Sequence, residues 1–271
     1  MMELGVSTME QSTTLLPNFT HSPIDVHSHF NHGSKFDCPE TEAHIRDINF
    51  IESVYRRVGV TQVGISTFAS VTEPTCVSEE NEYLHRLIKE KDWVYQWVVI
   101  DPRQKETYAQ AQRMLTHPKV LGIKLHPAYH GYRILDYAQE LFAFANSQKT
   151  VVLIHPQYEI SSMRPFADKC PDMKLILAHL DSTRFQEYTD TIAYAEYGNI
   201  YTDTSGRASA ANNVIEGAVQ RVGSQKILFG TDTYSYAFQF GRIALSALST
   251  EEKENILWKN ATRLFPNAFL S

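Results

Sequence analysis

After residue 22 the chain repeats one unit eight times: a short apolar run rich in β-branched residues, followed by a longer amphipathic stretch. Most of the runs are almost continuously apolar, as expected of parallel strands that are covered on both faces. Eight successive strand–helix units in one chain of this length predict a single (β/α)8 barrel. The predicted strands occupy residues 23–29, 60–68, 94–101, 121–127, 150–156, 174–180, 199–206 and 226–232.

The stretches between the strands predict helices. Residues 41–59 carry an apolar stripe with helical spacing and end at Gly59, a residue suited to a helix C-cap. Residues 78–91 predict another helix, with Ser78 as its N-cap, an acidic first turn and lysines in the last turn. An open doubly wound sheet is the alternative fold, but the sequence contains neither of the glycine-rich phosphate loops, GxGxxG and GxxxxGK[ST], that often accompany it.

Composition narrows the class of protein. A net charge of −6 argues against a nucleic-acid surface, and no apolar run is long enough for a membrane span. The three cysteines are far apart and predict reduced thiols of a cytoplasmic protein. Residues 1–22 lack the pattern of a signal peptide. The sequence therefore predicts an N-terminal arm over residues 1–22 and a single-domain barrel over residues 23–271 that acts on a small molecule.

Polar side chains mark the carboxyl ends of six predicted strands, where barrel enzymes place their active sites. Because alternate residues of a strand share a face, Asp25, His27 and His29 are expected to point together. A single core histidine is usually structural, but several buried polar groups at one end each cost free energy unless they are paired or bind a metal. The residues are His27 and His29, Lys124 and His126, His155, His179, Asp203, and Asp232.

These residue types predict one shared divalent metal. Three imidazoles and a carboxylate suit zinc best, with manganese, iron, cobalt or nickel as alternatives. Asp25 is expected either to accept a hydrogen bond near the metal or to form part of the barrel layers. Asp203, in YTDTSG, is expected either to tune the site or to cap the loop after the seventh strand.

Five motifs in order, IDVHSH, GIKLHP, VLIHP, LILAHL and LFGTD, resemble the amidohydrolase superfamily. More closely, they resemble its amidohydrolase-related branch, which includes aminocarboxymuconate-semialdehyde decarboxylase and TIM-barrel hydrolases. The ending ENILWKNATRLF is also similar to that branch, so the resemblance extends from residue 23 to about residue 266. The TatD-like DNases, a sister group, carry a bridging Glu on the fourth strand. The absence of that Glu from GIKLHP argues against a phosphodiesterase.

The resemblance implies a role for each motif. His27, His29 and His155 would bind the metal, Asp232 would bind the metal or its water, and His179 would orient or polarise the reacting group. The leading hypothesis is a hydrolase of an amide, cyclic amide, lactone or ester that uses a metal-activated water, with Asp232 accepting the proton. A nonoxidative decarboxylase on the same scaffold is the first alternative, and a catalytically silent binding barrel is the second.

Four further residues are predicted to contact the substrate: Lys124, His126, Arg207 and Tyr234. In binuclear amidohydrolases a carbamylated lysine of the fourth strand bridges two metals, so Lys124 has two possible roles. An unmodified ammonium 4 Å from a net positive charge would be repelled by roughly 4 kcal/mol at an effective dielectric of 20. Lys124 is therefore expected to stand back from a single metal and to bind an anionic group of the substrate.

Overall fold

The computed structural model describes residues 19–32, 45–157, 159–234 and 236–269. Eight parallel strands follow one another in chain order, which confirms the predicted (β/α)8 barrel. The Val26 amide donates to the Phe229 carbonyl at 2.9 Å and so joins the first strand to the segment after the last. The strands are β1 Ile24–Phe30, β2 Gln62–Thr67, β3 Val94–Val99, β4 Val120–Leu125, β5 Val151–Ile154, β6 Lys174–Leu177, β7 Ile200–Asp203 and β8 Ile227–Leu228.

Helices alternate with the strands and form the outer layer. A π-helical turn at Asn255–Lys259 connects two of the last helices. In the described residues the helices are α1 Ile48–Val58, α2 Phe68–Thr72, α3 Val77–Glu90, α4 Lys105–Met114, α5 Pro127–His130, α6 Ile134–Ser147, α7 Ile160–Ala167, α8 Phe185–Ala193, α9 Val214–Val222, α10 Tyr236–Ala244, α11 Thr250–Glu254, α12 Asn260–Leu264 and α13 Pro266–Phe269. Among these residues no helix has both the length and the apolar character needed to cross a membrane.

Two predicted helix starts are wrong. The first helix begins at Ile48 rather than at residue 41, because the Asp47 carboxylate accepts from the amides of Asn49 and Phe50 and caps it there. Residues 41–44 lie outside the described residues. Ser78 lies inside α3, which begins at Val77 after a short 3-10 turn and has no side-chain cap. The predicted C-cap at Gly59 is confirmed, since Gly59 adopts φ 76° and its amide donates to Tyr55.

The barrel interior is apolar at its amino-terminal end and polar at its carboxyl end. The amino-terminal end is filled by a cluster of apolar side chains and is covered by the C-terminal segment. The cluster includes Val26, Trp97, Leu153, Leu228 and, from the C-terminal segment, Phe265. The Trp97 indole donates to the Val26 carbonyl at 2.8 Å within this cluster. Burying apolar side chains at this end leaves the opposite end for polar groups, which positions the site described below.

The expectation that Asp25 points with His27 and His29 is wrong. In β1 the pairing with β2 shifts between Asp25 and Ser28. Asp25 pairs with Val63 and Ser28 with Ile65, so β1 contains one more residue than β2 over this interval. Such a bulge reverses the alternation of side chains along a strand. Asp25 therefore points outward and bonds the Tyr55 hydroxyl of α1 at 2.5 Å.

The predicted N-terminal arm falls mostly outside the described residues, which begin at Phe19. Phe19 packs edge-on against Phe240 of α10, with ring centroids 6.1 Å apart. The His21 ring packs against the Trp258 ring in a tilted arrangement, with centroids 4.1 Å apart. The division of the chain into an arm and a barrel remains a prediction.

Candidate active site at the carboxyl ends of the strands

His27 lies between a carboxylate and an ammonium group. Its Nδ1 is 2.9 Å from Asp203 Oδ2, and its Nε2 is 2.7 Å from Lys124 Nζ. An ammonium group can only donate hydrogen bonds. His27 Nε2 therefore accepts from Lys124, and the ring proton is on Nδ1, where it is donated to Asp203. A carboxylate that fixes a histidine in this tautomer keeps the proton off Nε2, as a metal ligand requires. In this structure the Nε2 lone pair is used by Lys124, so a metal would have to displace the ammonium from it.

Two imidazoles converge on Asp232. His29 Nε2 is 3.3 Å from Asp232 Oδ1, and His27 Nε2 is 3.6 Å from the same oxygen. Ligand atoms bound about 2.1 Å from one ion are separated by roughly 3.0–3.5 Å in tetrahedral or octahedral geometry. The His29–Asp232 distance lies in this range and the His27–Asp232 distance just above it, and the mixed nitrogen and oxygen donors suit a divalent metal.

The turn that carries Asp232 is attached to β1. Asp232 has φ 54° and Thr233 has φ 63°, a left-handed conformation that is uncommon for residues other than glycine. The Asp232 amide donates to the His27 carbonyl at 2.7 Å, which keeps the carboxylate beside the histidine. Gly230 precedes this turn because a Cβ at that position would lie 3.1 Å from the Cβ atoms of His27 and Ser205.

A second group of polar side chains lies beside the first. Ser205 Oγ is 2.9 Å from His179 Nδ1 and donates to Asp203, with which it makes a short contact. Because the Ser205 proton is used in this way, His179 Nδ1 donates to Ser205, and in a neutral His179 the Nε2 atom accepts from His155 Nδ1 at 2.9 Å. His155 Nε2 is then unprotonated. Gly206 permits this packing, since a Cβ there would lie 2.9 Å from His179 Nδ1.

Burial and charge set the protonation of these groups. Burial, assisted by Lys124, lowers the pKa of His27 to about 4. Burial lowers the pKa of Lys124 to about 8, although Asp232 and Asp203 oppose the shift. Burial alone would raise the pKa of Asp232, but His179, His29 and His27 outweigh it and hold that pKa below the usual range. At neutral pH the site thus combines neutral His27, a cationic lysine and an ionised Asp232.

A pocket of about 370 Å³ opens onto these residues and is lined by His155, His179 and Asp232. Arg207 and Tyr234 also line it, and the Arg207 guanidinium lies 5.4 Å from the Tyr234 ring centroid. His126 stacks on His155 with ring centroids 4.3 Å apart. All four residues predicted to contact the substrate, including the fully buried Lys124, therefore lie in or beside the pocket or the histidine cluster.

The predicted metal ligands are only partly brought together. Within the described part of the chain, two groups of three have ligand atoms within 4.8 Å of one another: His27, His29 and Asp232, and His27, His179 and Asp203. His155 belongs to neither, and it contacts the site through His179 and His126. The assignment of His155 as a ligand remains a prediction.

Two residues of the site were underestimated or missed in the sequence. Asp203 is completely buried and bonds His27, and its place at the end of β7 was the signal for this role. Ser205 connects His27 with His179, but a serine two residues beyond a strand end carries no specific sequence signal.

An eight-stranded parallel barrel with histidines and carboxylates at its carboxyl end is the architecture of metal-dependent TIM-barrel enzymes. The sequence profile of the amidohydrolase family, Amidohydro_2, matches residues 24–266. The chain therefore belongs to this family and is an enzyme of the amidohydrolase superfamily. A comparison with curated proteins finds no match.

Solved structures with the same fold include two decarboxylases and a hydrolase. The dihydroxybenzoic acid decarboxylase from Polaromonas sp. JS666, with bound manganese and 2-nitroresorcinol, has a TM-score of 0.69 at 14% identity, covering 91% of this chain and 97% of that one. The 5-carboxyvanillate decarboxylase from Sphingomonas paucimobilis has a TM-score of 0.69 at 12% identity, covering 90% and 99%. A probable 2-pyrone-4,6-dicarboxylic acid hydrolase from Acinetobacter baumannii has a TM-score of 0.66 at 14% identity, also covering 90% and 99%.

Proposed function

We propose that this chain is a metal-dependent nonoxidative decarboxylase of a small carboxylic acid, with one divalent ion held by His27, His29, His155 and Asp232. The observation that carries the proposal is the Lys124 ammonium, fully buried and 2.7 Å from His27 Nε2. A decarboxylase binds its substrate as a carboxylate anion. A buried cation beside the ligands favours an anionic substrate over a neutral amide or ester. A hydrolase of an anionic substrate would also use it, so the choice of decarboxylation rests on the similar structures as well.

The similar structures support this order of hypotheses. Two of the three described above are decarboxylases of aromatic carboxylic acids, so decarboxylation ranks above the hydrolysis that the sequence motifs favoured. The Polaromonas enzyme contains manganese. Manganese is therefore the first metal to test, although the ligand types alone favoured zinc.

The proposed reaction exchanges carbon dioxide for a proton. The C–C bond between the carboxylate group and the adjacent substrate carbon breaks, and CO2 leaves without the bonding electron pair. The adjacent carbon keeps that pair and takes up a proton. A divalent ion at the site would supply Lewis-acid stabilisation of negative charge on the substrate. Lys124 would hold the departing carboxylate, and Arg207 at the pocket mouth would hold a second polar group of the substrate.

His179 is assigned to deliver the proton, which it would take up from solvent through the pocket and pass to the carbon that lost CO2. Its Nδ1 lies 4.0 Å from Asp232 Oδ2, and its side chain lines the pocket. Ser205 and His155 hold the two ring nitrogens, so the ring is oriented before a substrate arrives. Asp232 is ionised at neutral pH, which suits a metal ligand better than an acid.

Hydrolysis with a metal-activated water is the second candidate. The convergence of His27 and His29 on Asp232 supports it, because an ionised carboxylate beside the ligands could accept a proton from that water. The Acinetobacter protein provides a hydrolase with the same fold. The ligand geometry serves both reactions, so the products must distinguish them.

The test is a product screen with manganese-loaded protein and a chelator-treated control. Aromatic and enol carboxylic acids are assayed for CO2 release, and amides, lactones and esters for hydrolysis. In D2O, decarboxylation should place one deuteron on the carbon that lost CO2. His179→Asn should lower kcat by about 10²–10⁴-fold, whereas His117→Asn, remote from the pocket, should not. Hydrolysis without any CO2 release would reverse the ranking.

A further inference from the structure

A network of buried hydroxyl groups connects the barrel with helix α1. The Tyr55 hydroxyl of α1 donates to Asp25 Oδ2 at 2.5 Å and also lies 2.8 Å from Ser28 Oγ and 3.0 Å from Thr231 Oγ1. The side chains of Tyr55, Asp25, Ser28 and Thr231 are at most 1% exposed. Tyr55 belongs to the outer layer and does not line the pocket. The proposed reaction therefore makes no direct use of it.

The network ends on both segments that carry the Asp232 cluster. On β1, Asp25 accepts from the His27 amide at 2.9 Å. On the turn after β8, the Thr231 hydroxyl donates to Asp25 Oδ2 at 2.6 Å. Asp25 thus joins His27 to the residue next to Asp232.

A second branch fixes the other side of the turn. Ser28 Oγ is 2.7 Å from Thr233 Oγ1, and Thr233 Oγ1 accepts from the His29 amide at 2.6 Å. The two branches hold Thr231 and Thr233, which flank Asp232. Since Asp232 and Thr233 have left-handed backbone conformations, the turn depends on such surrounding contacts to keep its shape.

We propose that Tyr55 is a positioning residue that sets the metal affinity of the site by holding β1 and the 231–233 turn in register from outside the barrel. The proposal rests on the metal site of the proposed function. In the described part of the chain, the Tyr55 hydroxyl contacts members of both branches, Asp25 and Thr231 in one and Ser28 in the other. The Thr233 amide, which donates to Thr231 Oγ1 at 3.2 Å, joins the same branches within the turn. Removing the Tyr55 hydroxyl takes one hydrogen-bond donor away from the buried Asp25 Oδ2 atom. The 231–233 turn then relaxes, and Asp232 moves relative to His27 and His29.

The matched control is Tyr236, whose ring packs edge-on against Tyr55 with centroids 4.7 Å apart. Its hydroxyl is buried and has no hydrogen-bond partner among the described residues. Tyr55→Phe and Tyr236→Phe therefore remove the same group from neighbouring positions, but only the first loses hydrogen bonds to the network.

The experiment measures the Mn²⁺ dissociation constant by calorimetry, together with the rise in melting temperature that saturating Mn²⁺ produces. Hydrogen bonds made directly to metal ligands typically govern metal affinity by about 10–100-fold, and Tyr55 acts one residue further out, through Asp25 and Thr231. We therefore expect Tyr55→Phe to weaken Mn²⁺ binding by about tenfold, the lower end of this range, and to reduce the metal-induced rise in melting temperature. Tyr236→Phe should match the wild type in both. Equal Mn²⁺ affinity of wild type and Tyr55→Phe overturns the inference.

A purely structural role for Tyr55 would lower the melting temperature of the metal-free protein without changing Mn²⁺ affinity. If Tyr55→Phe does not fold, Thr231→Val decides, since it removes the other hydroxyl from Asp25 Oδ2. Wild-type affinity in that variant counts against the proposal, and weakened binding supports it. Failure of the wild type to bind Mn²⁺ would defeat the metal site of the proposed function, and this inference with it.

Discussion

Replacing Asp203 with asparagine tests the orientation of His27 with minimal change in shape. Asp203 Oδ1 accepts from the His179 amide at 3.1 Å, the Ser205 amide at 2.9 Å and the Ser205 hydroxyl. Oδ2 accepts from His27 Nδ1 at 2.9 Å. Because three donors surround Oδ1, an asparagine must place its carbonyl oxygen there. Its NH2 group then faces His27 Nδ1, where two N–H groups would oppose each other.

His27 then has an unfavourable contact in either tautomer. A proton on Nδ1 opposes the new NH2 group, and a proton on Nε2 opposes the Lys124 ammonium and removes the lone pair that the metal needs. Loss of an outer carboxylate from a histidine ligand typically costs 10–100-fold in metal affinity, which corresponds to about 1.4–2.8 kcal/mol at 1.4 kcal/mol per tenfold change. The upper part of this range is expected for Asp203→Asn, because the same carboxylate also holds the backbone of His179 and Ser205.

The assay is a calorimetric Mn²⁺ titration of wild type and Asp203→Asn, with Asp168→Asn as the control. Asp168 accepts from the Glu196 amide at 2.9 Å and does not line the pocket, so the same substitution there should leave metal affinity unchanged. The ¹⁵N chemical shifts of His27 in the metal-free protein report its tautomer independently. Wild-type affinity in Asp203→Asn, with His27 still protonated on Nδ1, would refute the reasoning.

Three other substitutions test the remaining parts of the site and the fold. His155→Ala should abolish Mn²⁺ binding at neutral pH, and full occupancy in this variant would remove His155 from the ligand set. Lys124 has a pKa of about 8 when folded and 10.5 in its ordinary state, so the unfolded chain binds more protons between these values. The free energy of unfolding of metal-free wild type should therefore rise from pH 8 to 10.5 by up to about 3 kcal/mol relative to Lys124→Met, and parallel urea-unfolding profiles would contradict this. Lys124→Met should also bind Mn²⁺ at least as tightly as wild type, because no ammonium then competes for His27 Nε2. The same variant should have a higher KM for carboxylic acids. Two bound metals per wild-type chain and bicarbonate-dependent activity would instead indicate a carbamylated Lys124. Trp97→Phe leaves the Val26 carbonyl without its indole donor and should cost about 1–3 kcal/mol in urea unfolding, with Mn²⁺ affinity unchanged because Trp97 lies at the opposite end of the barrel.

The order of the strands could be predicted because most strands are nearly continuous apolar runs, and burial on both faces leaves that signature in the sequence. The start of α1 could not, because the apolar stripe continues to Ile45, which is buried without being helical. An N-cap such as Asp47 determines where a helix begins through its own hydrogen bonds, and the spacing of apolar residues does not reveal those bonds. The predicted eighth strand was too long, because the chain turns after Leu228 and the Thr231 and Asp232 amides both donate to the one carbonyl of His27.

The residue types of the site could be predicted from their place at the strand ends, but their connections could not. Both carboxylates were assigned to neighbouring predicted strands. In the structure Asp203 ends β7 and orients His27 through Nδ1, whereas Asp232 lies in the turn after β8 and faces His27 Nε2. That difference arises from where the two strands stand around His27. A linear sequence contains no measure of it, whereas the contacts of the folded chain distinguish the two carboxylates directly.

The bulge in β1 explains how one short motif serves two layers of the barrel. With strict alternation, Asp25 would point inward with His27 and His29 and add a second carboxylate beside Asp232. The extra residue turns Asp25 outward to Tyr55 and Thr231, where burial raises its pKa to about 7. The inner face of β1 then presents two imidazoles to the ionised carboxylate of Asp232. The outer face joins β1 to the turn after β8, so the contacts that close the barrel also bring Asp232 to the histidines.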